Sequence, residues 1–278
     1  MSVWLVTGAS RGLGAEIVAA ALAAGHQVAA TARDAAAIEA RIPDAGTSLW
    51  ATSLDVTDGA RATTVVEEAV AHFGRIDVVV NNAGRGVLGA VEEVSDEAAR
   101  AAFDTNVFGA LNVLRAALPV LRAQRSGHVI NMSSVGGFVG SAGWGIYNST
   151  KFAVEGFSEA LAREVGPLGI STTIVEPGYF RTDFLDGTSL HTETCVIDDY
   201  TDSAGAMRRT AETVNHDQPG DPAKAAAAIV RIGGKADAPL RLQLGPDCYA
   251  RVSEKLSSMA AEQDRWKDVA FSTDHDPS

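Results

Sequence analysis

Val3-Trp4-Leu5-Val6-Thr7-Gly8-Ala9-Ser10-Arg11-Gly12-Leu13-Gly14 runs from a short apolar stretch through three glycines into an Ala-rich, helix-like segment. Strand, tight turn and helix in that order form the first half of a β-α-β unit. The same alternation recurs along the chain. Short β-branched runs at 3–6, 28–31, 49–54, 76–80, 128–132, 171–175 and 240–244 are separated by helical patterns at 12–24, 34–41, 58–73, 98–124, 145–166 and 222–232. Seven strands with helices between them predict an α/β, doubly wound Rossmann-type domain with a seven-stranded parallel sheet. Residues 1–270 are read as this one domain, with a helical extension over 246–270 and a flexible tail over 271–278. Pro119 is expected to kink or shorten the helix that contains it. The span 179–218 is polar, has no clean period and is too long for a plain connection, so it reads as a lid over a site or as disorder.

The chain has 278 residues, 46% apolar and 21% charged, in the range of an ordinary soluble protein with a sizeable core. A formal net charge of −12 argues against a nucleic-acid surface and requires that any anionic ligand be held by local devices. Cys195 and Cys248 are far apart in sequence and form no metal-like spacing, so neither a disulfide framework nor a zinc site is expected. The N-terminal residues lack the pattern of a signal peptide, and no apolar run is long enough for a membrane span; a cytoplasmic location is the expectation.

The glycines after the first strand allow the backbone to approach a ligand closely, so that amides at the helix N-terminus can meet a pyrophosphate. Gly8, Ala9, Ser10, Arg11, Gly12, Leu13 and Gly14 are therefore candidate dinucleotide contacts, although a Gly-rich βα turn without a ligand is the plainer alternative. The spacing is GxxxGxG rather than the commoner GxGxxG. At the end of the second strand, where an NAD site places a carboxylate for the ribose, stands Arg33. With Arg11 it favours the 2′-phosphate of NADP over NAD. Asp34 could serve as ribose acceptor or pair with Arg33, but it reads better as the cap of the next helix. Asp55 and Val56 end the third strand at the same sheet edge, where Asp55 is either an adenine acceptor or another cap. Asn82, Ala83 and Gly84, in the sequence Asn81-Asn82-Ala83-Gly84, follow the fourth strand with small residues suited to backbone near a ligand.

Tyr147 and Lys151 lie four residues apart in a predicted helix, which puts phenol and ammonium on one face. Alone, that spacing is common on surface helices. Together with the glycine loop, Asn81 to Gly84, Ser134 thirteen residues before Tyr147, and Pro177-Gly178-Tyr179-Phe180-Arg181-Thr182, it resembles the short-chain dehydrogenase/reductase family. The resemblance covers Ser2 to about Gly178 closely and continues more loosely to Gly245. It implies a tetrad of Asn106, Ser134, Tyr147 and Lys151. In it Tyr147 acts as proton donor, Lys151 lowers the phenol pKa and binds ribose together with Tyr147, Ser134 polarises the carbonyl, and Asn106 supports a relay water. It also implies that Pro177, Gly178, Phe180 and Thr182 hold the nicotinamide. Substrate contacts are expected from Val135, Phe138, Trp144 and Phe184, an apolar set suited to a hydrophobic ketone. The closing part is similar to 17β-hydroxysteroid and retinol dehydrogenase-like members. The family commonly pairs through the helices carrying Asn106 and Tyr147, which implies a homodimer. The expected activity is NADPH-dependent carbonyl reduction. The alternatives are alcohol oxidation with NAD(P), a sugar epimerase, and a dinucleotide-binding regulator without turnover.

Overall fold

Seven strands, all paired in parallel, form one sheet in the order β3-β2-β1-β4-β6-β7-β9. They are β1 (Val3–Thr7), β2 (Gln27–Ala32), β3 (Leu49–Ser53), β4 (Val78–Asn81), β6 (Gly127–Met132), β7 (Ile170–Pro177) and β9 (Arg241–Leu244). The computed structural model describes residues 1–43, 45–235 and 237–275; the last three residues of the expected tail lie outside the described residues. The connections are α1 (Gly12–Ala23), α2 (Ala36–Arg41), α3 (Gly59–Phe73), α4 (Asp96–Phe103), α5 (Gly109–Gln124), α6 (Gly145–Val165) and α8 (Pro222–Ile232). Strand order reverses between β1 and β4, which opens a crevice at the carboxyl ends of those strands.

Side-chain alternation explains why helices cover both faces. Trp4, Val6, Val28, Ala30, Val78 and Val80 point to one face and pack with Ile17 and Val18 of α1 and Ile229 of α8. Leu5, Ala29 and Val79, between them in sequence, point to the other and meet Val65 of α3, Val113 and Leu114 of α5, and Leu161 of α6. Local signals set the helix ends. Asp58 accepts from Arg61 N at 2.9 Å to start α3, and Gly74, at φ 83°, ends it. Asp221 accepts from Ala223 N and Lys224 N ahead of Pro222 at the start of α8.

Two features differ from expectation. The helix predicted over 98–124 is not one regular element: a π-helical turn, Asp104–Phe108, separates α4 from α5. Pro119, by contrast, costs no turn, since α5 runs through it to Gln124 with Val113, Leu114, Ala117 and Leu121 buried. The 179–218 span is ordered. It contributes β8 (Leu190–Thr192), paired in parallel with β5 (Gly86–Leu88) in a second small sheet, and α7 (Ala204–Val214). Beyond β9, α9 (Pro246–Arg265) and α10 (Lys267–Phe271) form the extension. Cys248 and Val252 root it against Val135. Among the described residues, no helix is long and apolar enough to cross a membrane, and no group of three or more metal-ligating side chains occurs.

Candidate active site

A cavity of about 940 Å³ opens at the crevice and is lined by the glycine loop, the ends of β2, β3 and β4, the start of α6 and the lid. Its floor is set by backbone geometry. Gly8 and Gly12 have φ of 66° and 54°, open to glycine at little cost. A Cβ on Gly14 would lie 2.3 Å from Gly8 O, so this position admits only hydrogen. Asn82 Nδ2 donates to Thr7 O and Gly8 O, and Thr7 Oγ1 accepts from Asn82 N and Ala83 N, which clamps the loop from behind. Asn81 donates to Asn131 Oδ1 at 2.8 Å and ties β4 to β6.

Gly8, Ser10, Arg11, Gly12, Leu13, Arg33, Asp55, Val56, Asn82, Ala83, Gly84, Pro177, Gly178, Phe180 and Thr182 all line the cavity. Ala9 and Gly14, also expected as contacts, do not line it. Ala9 is fully buried with its N–H bonded to Thr31 O, and both residues shape the turn instead. Arg33 is exposed at the cavity wall, with no carboxylate partner among the described residues. Asp34 accepts from Ala36 N at 3.0 Å in a local turn ahead of α2, whose N-cap position is Ala35 rather than the expected Asp34. Asp55 Oδ1 accepts from Thr57 N and Thr57 Oγ1, while Asp58 caps α3. Arg11 does not stand free beside Arg33: its guanidinium donates to Thr188 Oγ1 and Thr188 O, both at 2.9 Å, and so joins the glycine loop to the lid.

Ser134, Tyr147 and Lys151 line the same cavity. Lys151 Nζ stands 5.8 Å from the centre of the Tyr147 ring and donates to Met132 O at 2.8 Å. Asn106 lies in the π turn, where the extra residue turns its amide inward. Its Nδ2 donates to Arg85 O and Thr150 Oγ1, and its Oδ1 accepts from Arg85 N, so the side chain fixes the loop after β4 to α6. Burial pushes the Tyr147 phenol up to about 12, against a smaller downward pull from the Ser134 hydroxyl. Burial also brings Lys151 down to about 8, which the Glu155 charge partly opposes. With burial dominant among this chain's own groups, the lowering that the resemblance implies rests on Lys151 together with the positive ring of an oxidised nicotinamide.

Val135, Trp144 and Phe184 line the cavity, and Trp144, Tyr147 and Phe184 form an aromatic cluster with centroids 5.4–6.4 Å apart. Phe138 does not line it. It packs with Val139 against Cys248 and Val252 of α9, a partner that nothing near it in sequence announces. Leu190, His191 and Gln218 of the lid also line the cavity, and Arg85 and Arg251 do so without having been expected there.

Behind the site, Glu155 and Glu159 of α6 and Glu176 of β7 converge on Arg241 of β9. Glu176 is fully buried, 3.5 Å from Arg241 Nε, and neither of its oxygens has a well-formed hydrogen bond. Burial, then the Glu155 charge, pushes its pKa up to about 7, with Gln243 and Arg241 pulling the other way. The folded protein therefore holds this proton more tightly than the unfolded chain. The associated stability is full below the ordinary carboxylate range and is lost as pH rises through about 7. Glu176→Gln should remove roughly 2 kcal/mol of this loss, a figure reduced from the full shift for relaxation and screening. Urea denaturation at pH 5 and pH 8.5 checks it: the variant should gain on wild type only at the higher pH, and an equal difference at both would refute the assignment.

The short chain dehydrogenase family model matches residues 2–192, and the chain belongs to that family of oxidoreductases. A solved short-chain dehydrogenase from Streptomyces avermitilis is 43% identical, with TM-score 0.89 over 99% of this chain and 100% of that one. Oxidoreductase BOA17 of Botryotinia fuckeliana is 36% identical over 272 residues, 98% of each chain. The 3-ketodihydrosphingosine reductase of Bacteroides thetaiotaomicron is 37% identical over 245 residues, 87% of each chain.

Proposed function

We propose that this protein is an NADPH-dependent reductase of apolar ketones or aldehydes. The observation that carries this reading is the placement of Tyr147, Ser134 and Lys151 on one wall of the cavity whose floor is the glycine loop and whose far end carries Arg33. The residues fit a nicotinamide dinucleotide: Gly8 and Gly12 leave a backbone cradle, and Arg33 offers a guanidinium with no carboxylate partner among the described residues, while Asp34 bonds locally to Ala36 N. The bound dinucleotide would supply the hydride. Tyr147 would donate its proton to the carbonyl oxygen, and Ser134 would hydrogen-bond that oxygen as charge builds on it. Lys151 would stabilise the phenolate left behind and bind the ribose hydroxyls, with Asn106 holding the loop and α6 in register. The apolar cluster of Leu88, Trp144, Leu190, Phe184 and Leu185 suits an apolar substrate body. The Bacteroides relative, a reductase of a 3-keto compound, agrees in reaction type. Phe108 and Phe152, exposed near the π turn and on α6, suit pairing of two copies through those helices.

Steady-state kinetics with NADPH and NADH test the cofactor assignment. Wild type should prefer NADPH, and Arg33→Ala should lower kcat/KM for NADPH about tenfold or more through loss of a charge-assisted contact, with a much smaller effect for NADH. Equal use of both cofactors by wild type would refute it.

A further inference from the structure

Arg251 is a cavity-lining residue with no role in the chemistry described above. It lies on α9, whose first turns are held in place by the buried Cys248 and Val252 packed on Val135, Phe138 and Val139. Its guanidinium is part-buried and donates to Ser141 Oγ at 2.6 Å, and it has no carboxylate partner among the described residues. Ser141 O in turn accepts from Trp144 N at 3.1 Å, and the Trp144 ring lies 5.6 Å from the Tyr147 ring. Through that loop the guanidinium is linked to the residue whose ring packs on the proton donor. Ser141 Oγ accepts from Arg251 and keeps its own O–H free to donate, so arginine and serine can both donate to one anion.

We propose that Arg251 and Ser141 form an anion-recognition site for a carboxylate carried by the substrate, which makes the preferred substrate an amphipathic keto or aldehydo acid. The inference builds on the reductase reading and specifies its substrate class. The apolar body would lie against Trp144, Phe184 and Leu190, the carbonyl at Tyr147 and the carboxylate at Arg251. Arginine is suited to the task because its planar fork binds a carboxylate through two parallel hydrogen bonds.

The test is isothermal titration of the NADPH-saturated protein, and in parallel of the cofactor-free protein, with octanoate and with octanamide, its uncharged counterpart. Wild type should bind octanoate about tenfold or more tighter than octanamide. In Arg251→Ala the ratio should fall to about one, and in Arg251→Lys it should be intermediate, which also guards against a variant that fails to fold. Failure of octanoate to bind wild type, a ratio near one in wild type, or a full preference in Arg251→Ala would each overturn the proposal. None of these measurements requires turnover. A failure of the reductase reading would show separately, as no NADPH consumption across a ketone panel.

Discussion

Tyr147→Phe should lower kcat for carbonyl reduction by about 10²- to 10⁴-fold, the usual contribution of a positioned general acid. NADPH affinity should fall far less, because the ring and its aromatic neighbours stay in place. The Tyr147 side chain is buried and within hydrogen-bonding reach of the Ser134 hydroxyl, so removal of its own hydroxyl takes away the phenol that Ser134 and Lys151 flank. A water replacing it would lack the support of Lys151, which is fixed on Met132 O. The pH profile gives an independent check. Lys151 titrates near 8, so reduction should slow as pH rises through that value and the ammonium that stabilises the phenolate is lost. Lys151→Met should flatten that limb as well as lower the rate. Stopped-flow recording of NADPH oxidation against pH decides the matter. If Tyr147→Phe turns over at the wild-type rate, the catalytic account fails.

The parts of this molecule that were legible in its sequence are those governed by local rules. Strand, glycine turn and helix at Val3 to Gly14 follow from short-range sterics and hydrophobic period, and the structure puts β1 and α1 there. The Tyr147 and Lys151 pair was legible because four residues make one helical turn. What was not legible depends on partners distant in sequence or on solvation. Phe138 has the look of a pocket residue, but Cys248 and Val252, more than a hundred positions later, take its face. Arg251 sits on a helix that resembled an appendage until its rooting against Val135 brought it to the cavity wall. The direction that burial sets on Tyr147 was not legible for a related reason: charge spacing can be read from residue types, whereas depth of burial cannot. The lid hid its β8 and α7 because their stability comes from contacts across the fold rather than from their own periodicity.

Glu93→Ala should detach that lid. The Glu93 carboxylate lies just before α4 with its side chain fully buried. It accepts from Ala90 N at 2.6 Å and Ile197 N at 2.9 Å and pairs with the Arg208 guanidinium of α7. Burial pushes its pKa up, but the Ile197 and Ala90 amides and Arg208 together outweigh that and hold it below the ordinary carboxylate value. It is therefore ionised at neutral pH, and its contribution is lost only as pH falls through that lowered pKa. Removing one partner of a buried pair leaves an uncompensated charge at Arg208 and two unmet amides, a cost of about 3–5 kcal/mol. The central sheet need not bear this cost. The cluster that holds the lid is small, built on Leu88, Trp144, Tyr147, Leu190 and Ala211, and can open while the two large cores on either side of the sheet stay closed. Hydrogen exchange should accordingly speed up by about 10²- to 10³-fold in 190–214, with α1 and α8 unchanged. KM for carbonyl substrates should rise as the Phe184 and Leu190 wall loosens, and Glu93→Gln, which keeps an acceptor for the amides, should fall between wild type and alanine. Uniform acceleration across the whole chain would show instead that the pair supports the global fold, and the lid would then be no separable unit.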